Sequence, residues 1–532
     1  MHVSIEYNKV LIECTYDKKD LVKAIGNYKF NKNTKLWEFP LSSLIPFIEQ
    51  LRIDYDESVE AKYHLLKEEQ GEYEKKLVLA SQIKAGKQLS LPEGVDVSKL
   101  FSHQKTALSL ASLFDSYALF LEMGLGKSLV AIKLIELHKP AIVVAPLSTL
   151  ESVWVNEIKK WSNLTCVNLW QNLDALEKDY DVFLINFEHF KKIKDVNKIK
   201  TIVIDESAKM KNFKSGITKH ILSFKDKVEH KYILSGKPAP NDLMEYFAQA
   251  AFVNNELLGD NFYRFRGKYF YSSGYGGYLY MPYSGAKEEI MKQLSKQAYF
   301  IKKEEAVDLP ERIFETRLVE MDKVQRQKYD EMMKLNIMEY KNHVVLGANE
   351  LAKIAKLREI SSGFVIGESG LTVEISKSKI EELLNVISEI DDDRQVIIWC
   401  NFHWEINRIA QELSPNATTL YGEMNQKEKN QAIKDFQDGK YRFIISHPLS
   451  GGMGLTFTNC SYIIWFSLSY SVEQYDQAND RVHRVGQLNK CTYIHLLAKD
   501  SIDGVIYKVL KKKQRFSEAC LKMLKEGWQN HV

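Results

Sequence analysis

The sequence predicts an α/β protein: two parallel-sheet lobes with helices on both faces, preceded by a small α+β unit. Three observations predict it. From about residue 100, short apolar runs alternate with amphipathic helical stretches, the pattern of strand–helix–strand units. The same alternation restarts near residue 376. Ahead of both, two strand-like runs, Val3 to Tyr7 and Val10 to Cys14, flank Asn8-Lys9 as a hairpin does.

Each element follows in order. Residues 1–60 hold that hairpin, a short helix over Lys18 to Gly26 and a strand over Lys35 to Phe39. Residues 61–95 form a charged helical linker, because 55–90 is dense in Glu, Lys and Gln. The first lobe, 96–300, places strands at 116–121, 141–146, 181–186, 201–205 and 231–235. Its Tyr/Gly-rich stretch 262–285 matches neither period and reads as a packed insertion or loop, with base stacking by the tyrosines as the alternative. Residues 301–375 read as a helical insertion or linker, 320–360 favouring helix with almost no strand signal. The second lobe, 376–500, places strands at 395–400, 417–421, 441–446, 462–467 and 493–498, with helices near 403–413 and 426–437. Residues 501–532 carry a basic run, Lys511-Lys-Lys-Gln-Arg515, that either touches phosphates or ends a helix.

Composition bounds the function. A chain of 532 residues, 45% hydrophobic and 27% charged, suits a globular protein of about three domains. No apolar run reaches bilayer-spanning length, and the start lacks an export signal. Six scattered cysteines form no Cys-x-x-Cys pair, which argues against zinc or disulfides. The expected setting is a reducing cytoplasm, that of a bacterial or phage-infected cell, with no membrane partner and no secretion. A net charge of only +3 means that any nucleic acid must be held by a local groove.

Three segments carry chemistry. The run Ser116 to Leu121 feeds Glu122-Met123-Gly124-Leu125-Gly126-Lys127-Ser128 and then a helix over Leu129 to His138. Strand, glycine loop and helix in that order make a phosphate loop. The backbone N–H groups from Met123 to Gly126 cradle phosphates, Lys127 reaches the β and γ phosphates of ATP, and Ser128 ligates Mg²⁺. Thr201-Ile-Val-Ile ends in Asp205-Glu206, with Asp205 placed to hold the Mg²⁺ and Glu206 to polarise the attacking water. Far along the chain, Gln477-Ala-Asn-Asp-Arg481-Val-His-Arg484-Val-Gly-Gln487 puts two arginines three apart on an expected helix, hence on one face. They can stabilise charge on the γ-phosphate, an effect worth about 10³–10⁵ in rate. Loop and arginines lie on separate lobes that meet over one nucleotide.

On these segments the chain resembles the Swi/Snf-type branch of the superfamily-two helicase-like ATPases, over about 100–510. Phe101-Ser-His-Gln104 is similar to the family's adenine-contacting motif, and Pro146-Leu-Ser148 with Trp154 and Glu157 to its first nucleic-acid-contacting motif. Ser235-Gly-Lys-Pro-Ala-Pro-Asn241 resembles its coupling motif. Leu420-Tyr-Gly with Ile433 and Phe436, and Ser450-Gly451-Gly452-Met-Gly-Leu455, resemble motifs of its second lobe. The resemblance implies two RecA-like lobes with helical insertions over about 250–370 and a brace helix near Ile502 to Leu510. It also implies DNA-stimulated hydrolysis of ATP with Mg²⁺ and movement along double-stranded DNA by a monomeric motor. Ser148, Lys209, Lys211, Gly451 and Gly452 are the positions it assigns to DNA. Gly26 to Leu41, with Trp37 and Phe39, resembles the HARP-type domain of annealing-helicase relatives, which binds branched DNA. Trp37 is then a DNA contact, or both aromatics are core.

Three positions depart from the family. Leu121 stands where the phosphate loop opens on an acidic residue, Ala208 ends the acidic box Asp205-Glu-Ser-Ala208, and Lys237 replaces the coupling threonine. Hydrolysis is expected intact, and its link to DNA movement is the open point. The alternatives are a strand-separating DNA or RNA helicase, or a DNA-binding scaffold with an uncoupled ATP site.

Overall fold

A computed structural model describes residues 1–512, apart from 7–8, 27, 52–53, 88, 240–241, 274–278, 336, 341–342, 347–349, 368–369 and 451–455. The chain divides into two compact units, Met1–Ser90 and Leu91–Val532.

The first unit is a five-stranded sheet in the order Lys29–Phe30, Trp37–Pro40, Lys9–Glu13, His2–Glu6, Asp54–Tyr55. The expected hairpin is present, with Val3 opposite Ile12 and Ile5 opposite Val10. Val3, Val10, Ile12, Phe39 and Phe47 make its core. The helix Glu57–Lys84 starts on an Asp56 cap, whose carboxylate accepts from the Val59 N–H at 2.9 Å. Its Val59 is fully buried, and Tyr63 and Leu66 pack on the same core. The first turns of the expected linker 61–95 are thus part of the N-terminal core, because an apolar stripe is threaded through the charged sequence.

The second unit holds two all-parallel sheets. In the first lobe the order is Ala298–Ile301, Ser116–Leu121, His230–Leu234, Thr201–Ile204, Ala141–Ala145, Val182–Asn186, Cys166–Asn168. In the second it is Arg312–Val319, Cys491–Ala498, Tyr462–Trp465, Val396–Trp399, Phe443–Ser446, Ala417–Leu420. These are the two RecA-like lobes. Interior strands such as Ala141–Ala145 are buried at every position, as a parallel sheet covered on both faces requires. The closing helix Ile502–Lys512 buries Ile502, Val505, Ile506 and Leu510 in the second lobe's core. None of the described helices is long and apolar enough to cross a membrane.

Several expectations are corrected. The stretch 301–375 is not purely helical: Arg312–Val319 joins the second lobe's sheet beside Cys491–Ala498. Within 320–360 the helices Lys323–Leu335 and Glu350–Ser361 form, but Ile337–Tyr340 and His343–Leu346 pair as a hairpin between them. In the insertion expected at 262–285, the described residues form a helix, Phe262–Tyr269, and two antiparallel strands, Phe270–Ser273 and Leu279–Pro282, packed on the first lobe's core. Arg481 and Arg484 lie in turns, since the preceding helix Val472–Asn479 stops before them.

Candidate active site

Parallel strands bring their carboxyl ends to one edge of the sheet, where the following loops converge. Ser116–Leu121 leads there into the phosphate loop and the helix Lys127–Leu137. Gly124 and Gly126 have φ of +84° and +74°, conformations that favour glycine. A Cβ at Gly126 would lie 2.1 Å from Gln104 Nε2, and one at Gly124 would lie 2.9 Å from Arg484 Cβ. Gln104 is buried against this loop: its amide donates to Leu125 O at 3.1 Å and accepts from Phe101 N–H at 3.0 Å. It braces the loop from behind and does not line the cleft. Lys127 Nζ reaches back to Leu121 O at 3.0 Å.

Thr201–Ile204 ends two strands away, at Asp205 and Glu206. Asp205 Oδ2 accepts from Trp154 Nε1 at 2.9 Å, and Oδ1 accepts from the Glu206 N–H at 2.9 Å. Trp154, assigned by resemblance to a nucleic-acid motif, is wholly buried and orients this carboxylate instead. Glu206 sits at φ +51°, a left-handed conformation costing a non-glycine residue about 1 kcal/mol. Burial, then the neighbouring Asp205 charge, raises the Glu206 pKa, while Lys127 opposes the rise. Burial raises Asp205 too and lowers Lys127. A carboxyl poised above its ordinary range suits a general base. Each Asp205 oxygen keeps a free lone-pair direction, and with the Ser128 hydroxyl it offers hard oxygen donors of the kind Mg²⁺ takes. Such an ion would neutralise phosphate charge when bound.

These groups line a cleft of about 780 Å³ whose opposite wall belongs to the second lobe. Arg484 supplies that wall against Gly124, with its Nε 3.5 Å from where a Cβ would stand. Arg481 donates to Pro448 O at 2.9 Å and stands 5.3 Å above the Trp399 ring. The two arginines therefore do not share a helix face, yet both line the cleft. A phosphate loop, a carboxylate pair and cations from a second lobe are the parts of a nucleoside-triphosphate hydrolase.

Residues 103–363 match the SNF2-related domain, and residues 378–486 match the helicase conserved C-terminal domain. The chain belongs to the SNF2 family. It is an ATPase of that family. Three relatives set its reach. It is 26% identical to p41 of Acyrthosiphon pisum secondary endosymbiont phage 1, over 76% of this chain and 94% of that protein. It is 26% identical to the uncharacterized ATP-dependent helicase MG018 of Mycoplasma genitalium, over 75% of this chain and 40% of the other. It is 23% identical to the DNA annealing helicase and endonuclease ZRANB3 of Bos taurus, over 81% of this chain and 41% of the other. The chain thus spans nearly all of the phage protein and under half of the latter two.

In this SNF2-family ATPase a further functional residue is Lys303, which follows the edge strand Ala298–Ile301 of the first lobe. Lys303 is 4% exposed, and its ammonium donates to Asp480 Oδ1 at 2.6 Å and to His483 O at 3.0 Å in the second lobe. It grips the turn that carries Arg481 and Arg484. In the run Lys302-Lys-Glu-Glu-Ala it looks like a solvated charge, and no sequence signal separates it from its neighbours. Lys237, a departure from the family, also crosses the cleft to pair with Asp476. Ser207 donates to Gln249 Oε1 at 2.7 Å, and Gln249 donates to Pro238 O at 2.6 Å. The acidic box is thus hydrogen-bonded to the segment carrying Lys237 even with Ala208 in place.

Of the positions assigned to DNA, Ser148, Lys209 and Lys211 do not line the cleft. Ser148 and Lys209 are exposed on the first lobe, and Lys211 Nζ lies 3.7 Å from Glu245 Oε1. Gly451 and Gly452 lie outside the described residues. Trp37 belongs to the N-terminal unit, where Phe39 is core and Trp37 is half-buried between Tyr28 and Phe30, at 5.2 and 4.8 Å.

The cross-cleft pair gives a direct prediction. Lys303→Ala and Asp480→Ala should each lower kcat for ATP about tenfold or more, and the double variant should be little worse than either. A double-mutant cycle on kcat measures this, because removing one partner leaves a buried unpaired charge. Additive losses would show that the two residues act separately.

Proposed function

We propose that this chain is an ATP-driven motor that moves along double-stranded DNA and remodels or reanneals branched DNA, working as a monomer in the cytoplasm. The observation that carries it is Arg484 seated against Gly124, which makes a complete hydrolytic site depend on closure of two lobes. Lobes that close on ATP and open after hydrolysis can grip a strand's phosphates alternately. Lys127 holds the β and γ phosphates, Ser128 and Asp205 hold Mg²⁺, Glu206 takes the proton of the attacking water, and Arg481 and Arg484 meet charge on the γ-phosphate. Ser148, Lys209 and Lys211 supply phosphate contacts from the first lobe.

The relatives named as helicases and as an annealing helicase support action on DNA. The N-terminal unit supports a branched substrate: Trp37 lies among Tyr28 and Phe30, with Lys23 Nζ 5.5 Å from its ring centre. A cation beside exposed rings suits nucleic acid. Ala208 and Lys237 favour a second reading, a DNA-binding scaffold with an uncoupled ATP site, but the Ser207–Gln249–Pro238 bonds argue against it. ATP turnover measured side by side with single-stranded DNA, duplex, fork and RNA tests the reading. Duplex and fork should raise the rate most. Rates equal to the DNA-free rate would refute coupled movement, and strongest stimulation by single strands or RNA would favour a strand-separating helicase.

A further inference from the structure

We propose that the tyrosine-rich arm of the first lobe, residues 262–273 with 279–287, is a second nucleic-acid site that takes unpaired strand, its rings stacking on bases and its cations meeting phosphates. The inference rests on the reading of this chain as a DNA motor. It starts from charge. No acidic residue occurs between Asp260 and Glu288, while Arg264, Arg266, Lys268 and Lys287 all fall in that interval. Neighbouring surface segments of this protein mix the two signs, as in the Glu288-Glu289 and Lys292 run that follows.

The arm is also built to present rings outward. Asn261 caps the helix Phe262–Tyr269 by accepting from the Tyr263 and Arg264 N–H groups at 2.9 and 3.2 Å. That helix buries Phe265 and Tyr269 and leaves Tyr263, Arg264 and Lys268 in solvent. In the hairpin, Tyr271 pairs with Met281, and its ring lies 5.4 Å from that of Tyr283. Tyr263, Tyr271 and Tyr283 are 56%, 44% and 48% exposed. A segment whose only role was packing would hide such rings, since each buries a large apolar area. On the hairpin's other face Arg266 stands 4.0 Å from the ring centre of Tyr280, which packs on the lobe's core.

The arm packs on the loop that follows the acidic box. Phe213 stacks on Phe262 at 3.7 Å with 21° between the rings. Phe213 belongs to the loop that follows the acidic box, whose Lys209 and Lys214 are exposed. The loop 207–215 and the arm both lack acidic residues of their own, although Glu245 approaches Lys211 and Glu289 approaches Lys268 from neighbouring helices. Positive charge interleaved with open rings matches a strand with negative phosphates and free bases.

Tyr271→Ala/Tyr283→Ala alters two exposed rings, and Arg264→Glu/Lys268→Glu reverses two exposed charges. Fluorescence anisotropy on the full chain, at two salt concentrations, would use three probes: an unpaired oligonucleotide, a fork with unpaired arms and a blunt duplex. The tyrosine variant should lose about tenfold to a hundredfold on the first two, the range of one or two lost stacks, and less than twofold on the duplex. The charge variant should bind the unpaired probe more weakly with a shallower salt dependence. Unpaired-strand affinity within twofold of the parent in both variants overturns the proposal, as does an equal loss on all three probes. Binding only to a protein, with no unpaired-strand affinity in the parent, also overturns it. ATP turnover with blunt duplex is read in parallel. If duplex stimulates the parent and the variants alike while unpaired binding is unchanged, the arm proposal fails and the motor reading stands. If no DNA stimulates the parent, the motor reading fails on its own.

Discussion

Glu206→Gln is expected to lower ATP turnover by about 10³-fold while nucleotide and DNA binding persist, because only the proton acceptor is removed. Glu206 follows directly on Asp205, and the two carboxylates share a site in which burial raises both pKa values. Glutamine keeps the size and removes one of two like charges, so the variant should melt no lower than the parent. That separates lost chemistry from lost fold. Lys127→Ala should abolish turnover as well, but with weaker ATP binding, since its ammonium faces both carboxylates and in a phosphate loop this lysine meets the β and γ phosphates.

The pH dependence follows with a definite sign. The base works ionised, and its folded pKa is raised, so turnover is lost as pH falls through that raised value. The acid limb of kcat/KM should therefore lie above the ordinary carboxylate range near 4.3. A limb at the ordinary value, in a parent protein that stays folded, would remove Glu206 from this role.

What could be read from the sequence divides along burial. Ala141–Ala145, Thr201–Ile204 and Val396–Trp399 lie inside their sheets and appear as unbroken apolar runs. In the two large parallel sheets the strands that escaped notice, Cys166–Asn168, Ala298–Ile301 and Arg312–Val319, all lie at sheet edges. An edge strand is half solvated and tolerates charge, so Arg312-Ile-Phe-Glu-Thr-Arg-Leu-Val carries no apolar run to find. The site divides differently. Lys127, Ser128, Asp205 and Glu206 stand in local patterns whose spacing is the chemistry, and all four line the cleft. Lys303, Trp154 and Gln249 act on residues far away in sequence, so their partners exist only once the lobes are folded. The arginine turn lies between these cases: its residues were legible, but the end of the helix at Asn479 was not, because Asp480 and Arg481 are common inside helices as well.

Arg484→Ala should lower kcat about 10³-fold and change KM for ATP by no more than a few-fold. The two arginines can be told apart on structural grounds. Arg481 is held by Pro448 O at 2.9 Å and by the Trp399 ring, both in the second lobe. Arg484 instead stands at the phosphate loop of the other lobe, and burial lowers its pKa while Glu157 and Asp480 keep it charged. A guanidinium there meets charge that grows on the γ-phosphate as the bond breaks, so it stabilises the transition state more than bound ATP. Lys at this position keeps the charge but not the planar fork, and should recover only part of the rate. Steady-state kinetics with DNA present, alongside ATP-analogue binding, decides the matter. A large loss of analogue binding with kcat unchanged would make Arg484 a ground-state binding residue, and the lobe-closure account of hydrolysis would lose its support.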